Sequence, residues 1–303
     1  MPFVLNSFLM MPANGILLLD KPSGITSNAA LARAKRILGI KKAGHTGTLD
    51  PMASGLLVLC FGEATKVSAF LLDADKAYEG ELHLGVETDS EDAEGEVIAE
   101  REVPPLTEVS IESVLQAFRG DIEQVPPMHS ALKHKGQRLY DLARRGETVE
   151  RPPRAVTIYQ LRLLDIDLPK VRIAVRCSKG TYIRSLARDI GQKLGCGAHL
   201  SGLRRTSSAP FNVDAAISLE ALDKLERGPA RSLLLRPDRA LEHLPEVHLD
   251  GEQTRRARHG QTIAGLTETQ EGLVRIYGDD AFVGIGEMDG QGRLRPKRLL
   301  APD

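Results

Sequence analysis

The sequence predicts an α+β fold on two observations. Strand-like and helix-like runs are interleaved without a regular strand–helix–strand repeat, which argues against a doubly wound parallel sheet. Beyond Pro245 the pattern changes to short strands divided by Gly/Asp turns, as in a small β-rich module. With 303 residues, 42% of them hydrophobic, the chain can build a full-sized core without disulfides.

Taken in order, Gly15–Leu19 is an apolar run stopped by Asp20-Lys21-Pro22-Ser23-Gly24, a buried strand ending in a turn. Ser27 or Asn28 should cap a helix running to Leu38, with Leu31, Ala34 and Leu38 on one face and Gly39 as its stop. Residues 41–55 hold three glycines and a proline and read as a loop. Leu56–Phe61 is a second buried strand, and Ala64–Leu72 is predicted helical. Tyr78, Gly80, Leu82 and Leu84 alternate with charged neighbours, as in a half-buried strand. Thr107–Phe118 is predicted helical. Residues 126–154 are too polar to own a core and read as an insertion carrying a short helix near Leu139–Arg144. Val156–Asp167 and Val171–Cys177 resemble paired antiparallel strands, and Thr181–Leu194 has the 3.6-residue spacing of an amphipathic helix. After the Pro- and Arg-rich stretch near 236–245, strands are predicted at Val247–Leu249, Gly272–Tyr277, Ala281–Met288 and Arg293–Leu299.

Composition narrows the function only a little. Cys60, Cys177 and Cys196 are odd in number, far apart and never in a CxxC pair, which argues against a zinc site or a disulfide framework and fits a reducing cytoplasm. No charge precedes Asp20, yet the stretch lacks a basic leader and is broken by Pro2, Asn6, Pro12, Asn14 and Gly15, so neither a signal peptide nor a membrane span is expected. Met10 and Met11 are alternative starts, and residues 1–14 are expected to be a disordered extension. The net charge of −1 hides an acidic run from Glu87 to Glu96 and basic clusters at Lys133–Arg154, Arg204–Arg205, Arg255–Arg258 and Arg293–Arg298. The basic clusters suit a polyanion, and they equally suit solvated faces.

The densest chemistry lies in Gly44-His45-Thr46-Gly47-Thr48-Leu49-Asp50-Pro51. Its glycines permit close backbone approach, and Pro51 restricts Asp50 to an extended conformation. A phosphate loop would need GK[ST], and a serine hydrolase would need GxSxG; neither is present. A fixed Asp beside a His makes a credible catalytic loop, while a Gly-rich turn with Asp50 as a helix cap fits the same residues. Cys177–Arg184 runs from a strand end into a helix start, placing Tyr182 and Arg184 at a junction where site residues are common. An arginine beside Asp50 would keep the carboxylate ionised, and Tyr78 offers a face for a base to stack on.

These motifs, together with Leu17–Gly24, Ser54–Val58, Gly62–Lys66, Thr88-Asp89-Ser90…Asp92, Phe118-Arg119-Gly120, Pro127…Ser130-Ala131-Leu132 and Leu203-Arg204-Arg205, resemble the bacterial TruB family of tRNA pseudouridine-55 synthases from about Gly15 onward. The resemblance implies a catalytic domain at 15–244, with a mixed, mainly antiparallel sheet and flanking helices. It also implies an RNA-clamping insertion at 126–154 and a PUA-like RNA-binding module at 245–303. Asp50 matches the catalytic aspartate, Arg184 its ion partner and Tyr78 the stacking tyrosine. His45, Tyr182 and Leu203 match pocket residues, and Lys21 and Lys66 match basic positions with structural or RNA-backbone roles. The implied substrate is the tRNA T-arm, bound by a monomer without a cofactor, a metal or an obligate protein partner. A role in tRNA folding could accompany the reaction. A buried uracil must leave the stack before a carboxylate reaches it, and this costs a few kcal/mol. The competing readings are a non-catalytic RNA-folding chaperone, a nucleosidase that frees the base, and a guide-RNA-dependent relative.

Overall fold

A computed structural model of the chain describes residues 14–301 apart from residues 131, 135, 144, 268 and 280. The expected N-terminal extension thus lies outside the described residues, except for Asn14. The fold is α+β, built on a mixed, mainly antiparallel ten-stranded sheet. Eight strands form a continuous path: Ile217–Ser218, Gly15–Lys21, Ser54–Phe61, Ala198–Ser208, Lys76–Leu84, Lys170–Cys177, Arg154–Asp167 and Gly120–Gln124. Ala43–His45 pairs with Ser54–Phe61, so the expected loop at 41–55 begins with a short strand.

The middle of this sheet positions the site. Ser54–Phe61 and Ala198–Ser208 run parallel and share only the pairs Arg204–Ser54 and Arg205–Gly55 before they diverge. Gly55 sits at φ 100°, and a Cβ there would lie 2.3 Å from the Arg205 carbonyl oxygen, so a larger residue would force the strands apart. Residues 46–53 leave the sheet at this point. On the other side of Ala198–Ser208, Lys76–Leu84 pairs antiparallel, bringing Tyr78 opposite Arg205 and Gly80 opposite Leu203.

The helix Ile183–Leu194 packs Ile183, Leu186, Ala187 and Ile190 into a core with Leu82, Leu84, Ile173 and Leu200. It ends at Gly195, which takes the left-handed φ of 88° that terminates helices. The helix Ser27–Leu38 is capped by Thr26, whose side chain accepts from Ala29 N, rather than by the expected Ser27 or Asn28. Ser27 is thereby freed for another task, described below. The helix predicted at Ala64–Leu72 is divided into a 3₁₀ turn, Gly62–Lys66, and a short α-helix, Ser68–Leu72. Val67 enters the core at the break.

Residues 126–154 carry the expected short helix, Leu139–Ala143. Contrary to expectation, they own a small core in which Met128, Leu139 and Leu142 pack with Leu132, Ala143 and Val149. Near the C-terminus, Glu246–Leu249, Glu271–Gly278, Ala281–Asp289 and Leu294–Leu299 form a separate four-stranded sheet. A helix that the strand pattern did not predict, Gly251–Arg258, opens on a capping box between Asp250 and Gln253. This sheet does not hang from a free linker. Ala240 and Leu241 join a core shared with Leu56, Val58 and Ile285, and Tyr277 Oη donates to Asp238 Oδ2 at 2.8 Å. No helix among the described residues is long and apolar enough to cross a membrane.

Candidate active site

The backbone on both sides of Asp50 is held by groups of the preceding strand, turn and helix start. The Ser27 hydroxyl, 2% exposed, accepts from Leu49 N at 2.8 Å and donates to Leu49 O at 3.0 Å. After Asp50, Gly24 N donates to Pro51 O at 2.8 Å and Ser23 Oγ to Met52 O at 2.8 Å. Lys21 is wholly buried, and its ammonium donates to the carbonyls of Ile25 (2.7 Å), Pro22 (2.9 Å) and Pro51 (3.4 Å). Burial pulls its pKa down, against the attraction of Asp50. Buried Arg205 brackets the loop, donating to Gly47 O near its start at 3.1 Å and to Leu56 O just past its end at 2.7 Å. The contacts to Gly47, Leu49, Pro51 and Met52 satisfy backbone groups that a Gly-rich loop would otherwise leave unpaired.

Asp50 faces a cavity of about 870 Å³ lined by Tyr78, Tyr182, Arg184 and Leu203. Arg184 Nε lies 3.0 Å from Asp50 Oδ2. The Arg184 side chain is 6% exposed and has further partners: Ser90 O at 3.0 Å, His129 O at 2.8 Å and Asp92 Oδ2 at 3.4 Å. One guanidinium thus ties together the Asp50 loop, the loop after Thr88 and the insertion. Asp92 is itself fixed, with Oδ1 accepting from Ser90 Oγ at 2.6 Å and from Glu94 N at 3.1 Å.

The expected ion partner is therefore in place, but it does not win the balance at Asp50. Burial raises the carboxyl pKa above its ordinary value, Arg184 pulls it back, and Asp92 pushes it up again. The Asp50 side chain is 35% exposed, but it opens into the walled cavity, which accounts for the strong desolvation.

Tyr182 caps the helix that bears Arg184, at φ −100° and ψ 111°. Gln124, buried at the sheet edge, holds its backbone twice: Tyr182 N donates to Gln124 Oε1 at 2.8 Å, and Gln124 Nε2 donates to Tyr182 O at 3.0 Å. The phenols of Tyr78 and Tyr182 are both pushed above their ordinary pKa by burial, so each is a neutral hydroxyl at pH 7.

The remaining anticipated site residues do not line the cavity. His45 lies on the strand Ala43–His45 opposite Leu59, and burial and Arg205 lower its pKa from 6.5, leaving a neutral ring at pH 7. Lys21 acts on the backbone beneath Asp50, as described above. Lys66 lies away from the cavity, where it donates to Leu299 O at 2.7 Å and pairs with Glu63, tying the 3₁₀ turn to the C-terminal sheet. The residues that sequence patterns missed are Ser27, Gln124, Asp92 and Arg205. Ser27 reads as a cap and Asp92 as one acid of the run Glu87–Glu96; only the Thr88–Asp92 and Leu203–Arg205 motifs hint otherwise.

Comparisons with other proteins agree along nearly the whole chain. Residues 35–183 match the TruB family pseudouridylate synthase (N-terminal domain). Residues 184–242 match the tRNA pseudouridylate synthase B C-terminal domain, and residues 245–300 match the C-terminal part of pseudouridine synthase II TruB. The chain is 54% identical over 288 residues to tRNA pseudouridine synthase B of Aromatoleum aromaticum, covering 95% of this chain and 93% of that protein. It is 51% identical over 293 residues to its counterpart in Chromohalobacter salexigens, covering 95% of each. Among solved structures, a chain of a Cbf5–Nop10–Gar1 complex superposes with a TM-score of 0.73 at 31% identity, covering 97% of this chain and 87% of that one. Fold and cavity therefore define a pseudouridine synthase, an isomerase. More particularly, the chain belongs to the TruB family of tRNA pseudouridine synthases.

Proposed function

We propose that this enzyme isomerises uridine 55 in the T loop of tRNA, acting on a flipped-out nucleotide with Asp50 as the nucleophile. The observation that carries this reading is a carboxylate clamped by a buried arginine in the same cavity as two tyrosines. Uridine is buried in the folded RNA, so it must unstack to meet Asp50, and an aromatic face offsets part of that loss. Tyr78 supplies the face, while Tyr182 and Leu203 complete the walls. The carboxylate attacks either the sugar carbon of the glycosidic bond or the uracil ring. The glycosidic C–N bond breaks, the base rotates and a C–C bond forms from carbon 5 to the sugar. The bond to Asp50 breaks and frees the carboxylate, the hydrogen at carbon 5 leaves as a proton, and the released ring nitrogen takes a proton up.

Residues 126–154 serve as the RNA clamp and residues 245–303 as a second RNA contact, and the enzyme works as a monomer. Two-domain identity with relatives named tRNA pseudouridine synthase B supports a free tRNA substrate rather than a guide RNA. Any tRNA-folding role would survive the loss of Asp50.

The test is an unmodified tRNA transcript carrying uridine tritiated at carbon 5, with pseudouridine mapped at single-nucleotide resolution. Tritium release matched by one modified T-loop uridine is expected; a modified site elsewhere, or free base without tritium release, would overturn the reading. Tyr78→Ala should be severely impaired in single-turnover release while remaining folded, and near-normal turnover would remove its stacking role.

A further inference from the structure

Three consecutive residues of the hairpin loop between Val86–Thr88 and Val97–Glu100 face the helix that carries Arg184, and the middle one is strained. The Ser90 carbonyl and the Asp92 carboxylate meet Arg184 Nη1 at 3.0 and 3.4 Å. Between them, Glu91 has φ 66°, in the left-handed region disfavoured for any residue with a Cβ and most tolerable for glycine. Such a conformation persists only where its surroundings over-determine it.

The surroundings here do so. Glu91 is 8% exposed, its Oε2 accepts from Ser185 Oγ at 2.7 Å, and its Oε1 pairs with the Arg188 guanidinium. Its backbone is committed as well, with N donating to Thr88 O at 3.1 Å and O accepting from Leu200 N at 3.0 Å. Ser185 and Arg188 follow Arg184 by one and four positions on the same helix, so Arg188 lies on the same face as Arg184. Arg188 also reaches Val125 O at 3.4 Å, at the base of the insertion. Arg151, at the insertion's far end, donates to Pro126 O at 3.1 Å and is a further cation that Glu91 attracts.

We propose that Glu91 is a positioning residue for the isomerisation: its carboxylate, locked to Ser185 and Arg188, holds the left-handed turn that sets Ser90 O and Asp92 on Arg184, and thereby orients Asp50. A glycine would adopt this backbone without strain, but it would supply neither anchor. The idea rests on Asp50 as the nucleophile, and the experiment separates the two.

Glu91→Ala, Glu91→Gln, Glu91→Gly and Asp50→Asn are compared in the full chain by single-turnover tritium release across pH, RNA affinity and thermal midpoint. Glu91→Ala is expected to slow release by about tenfold to a hundredfold with RNA affinity within about threefold of wild type. Its acid limb should move to higher pH, because Asp50, which faces Arg184, Asp92, Lys21 and Glu94, loses the alignment of its strongest cation. Glu91→Gln keeps an acceptor for Ser185 and should recover part of the rate, whereas Glu91→Gly should behave like Glu91→Ala. A wild-type rate and acid limb in Glu91→Ala would overturn the proposal, as would a loss that only follows the unfolded fraction. If Glu91→Ala does not fold, Arg188→Met takes its place with the same expected shift, and wild-type values there would equally overturn it. Residual turnover in Asp50→Asn would count against the nucleophile alone; a silent Glu91→Ala beside an inactive Asp50→Asn would count against the positioning role alone.

Discussion

Two walls of the same cavity are built in opposite ways. The wall that carries Asp50 buries only a few apolar side chains, among them Leu49 and Ala53, and its backbone is held by hydrogen bonds from Ser27, Lys21, Gly24 and Arg205. The facing wall, residues 126–154, rests on a separate core around Met128, Leu139 and Leu142 and touches the first through His129 O on Arg184. A loop fixed at its backbone by buried donors and acceptors has little freedom to move, which suits chemistry. A segment with a small core of its own can open without disturbing the main one, which suits entry and grip of an RNA hairpin. The first wall should therefore answer for rate and the second for affinity.

Asp50→Asn should break that contrast most sharply, by removing turnover while leaving RNA affinity within a few-fold. Stability should not fall with it. The folded-state pKa of Asp50 is raised, so its protonated form is the better tolerated one: stability is fully present below the ordinary aspartate value and is lost as pH rises through the folded value. Asn imitates the protonated form, so the variant should melt at or above the wild-type temperature at pH 7; a clear drop would show that Arg184 outweighs burial. In the wild type, the same direction places the acid limb of the single-turnover rate above the pH at which an ordinary aspartate titrates.

Arg184→Met should rank second. It leaves the Asp50 and Asp92 carboxylates facing each other and should lower stability by about 3 kcal/mol, measured by denaturant titration. It should also move the acid limb further up and release His129, so that RNA affinity falls with the rate. An unchanged acid limb would mean that Arg184 does not govern the charge on Asp50.

Neutralising Lys133, Lys135, Arg144 and Arg145 together should act on the second wall alone. Lys135 and Arg144 lie outside the described residues. The slope of log affinity against log salt should flatten by about 0.7–0.9 for each phosphate that these cations no longer neutralise. Single-turnover rate at saturating enzyme should hold, and an unaltered slope would show that the insertion is no phosphate clamp. Leu142→Ala should have the smallest effect. It removes about 2 kcal/mol from the small core, which should appear as faster hydrogen exchange within 126–154 at an unchanged global melting temperature. A global shift would join the two walls into one cooperative unit.

Much of this architecture is legible in local patterns. The period of Thr181–Leu194 places Ile183, Leu186 and Ile190 on the face that the core covers, and Gly39 stops its helix at φ 66° because it alone lacks the penalty for that turn. The Gly-rich segment before Asp50 and the strand–helix junction at Tyr182–Arg184 likewise announce themselves in short stretches. Patterns fail where a polar side chain serves a distant segment. Ser27 has the composition of a cap but bonds Leu49, while Thr26 does the capping. Asp92 sits in an acidic run that local charge counting assigns to solvent, yet it lies buried against Arg184. The insertion looks too polar for a core because its apolar residues are scattered along the chain, and folding gathers them.

The sequence by itself determined most of the elements and several of their stops, and it singled out Asp50 and its candidate neighbours, since these follow from spacing and residue type within a few positions. Only the tertiary structure decided what Asp50 is worth as an acid. Its pKa depends on how much water the cavity removes and on whether Arg184, 134 residues away, lies 3.0 Å from one oxygen. Desolvation and Coulomb attraction are functions of distance and burial, and a linear pattern contains neither.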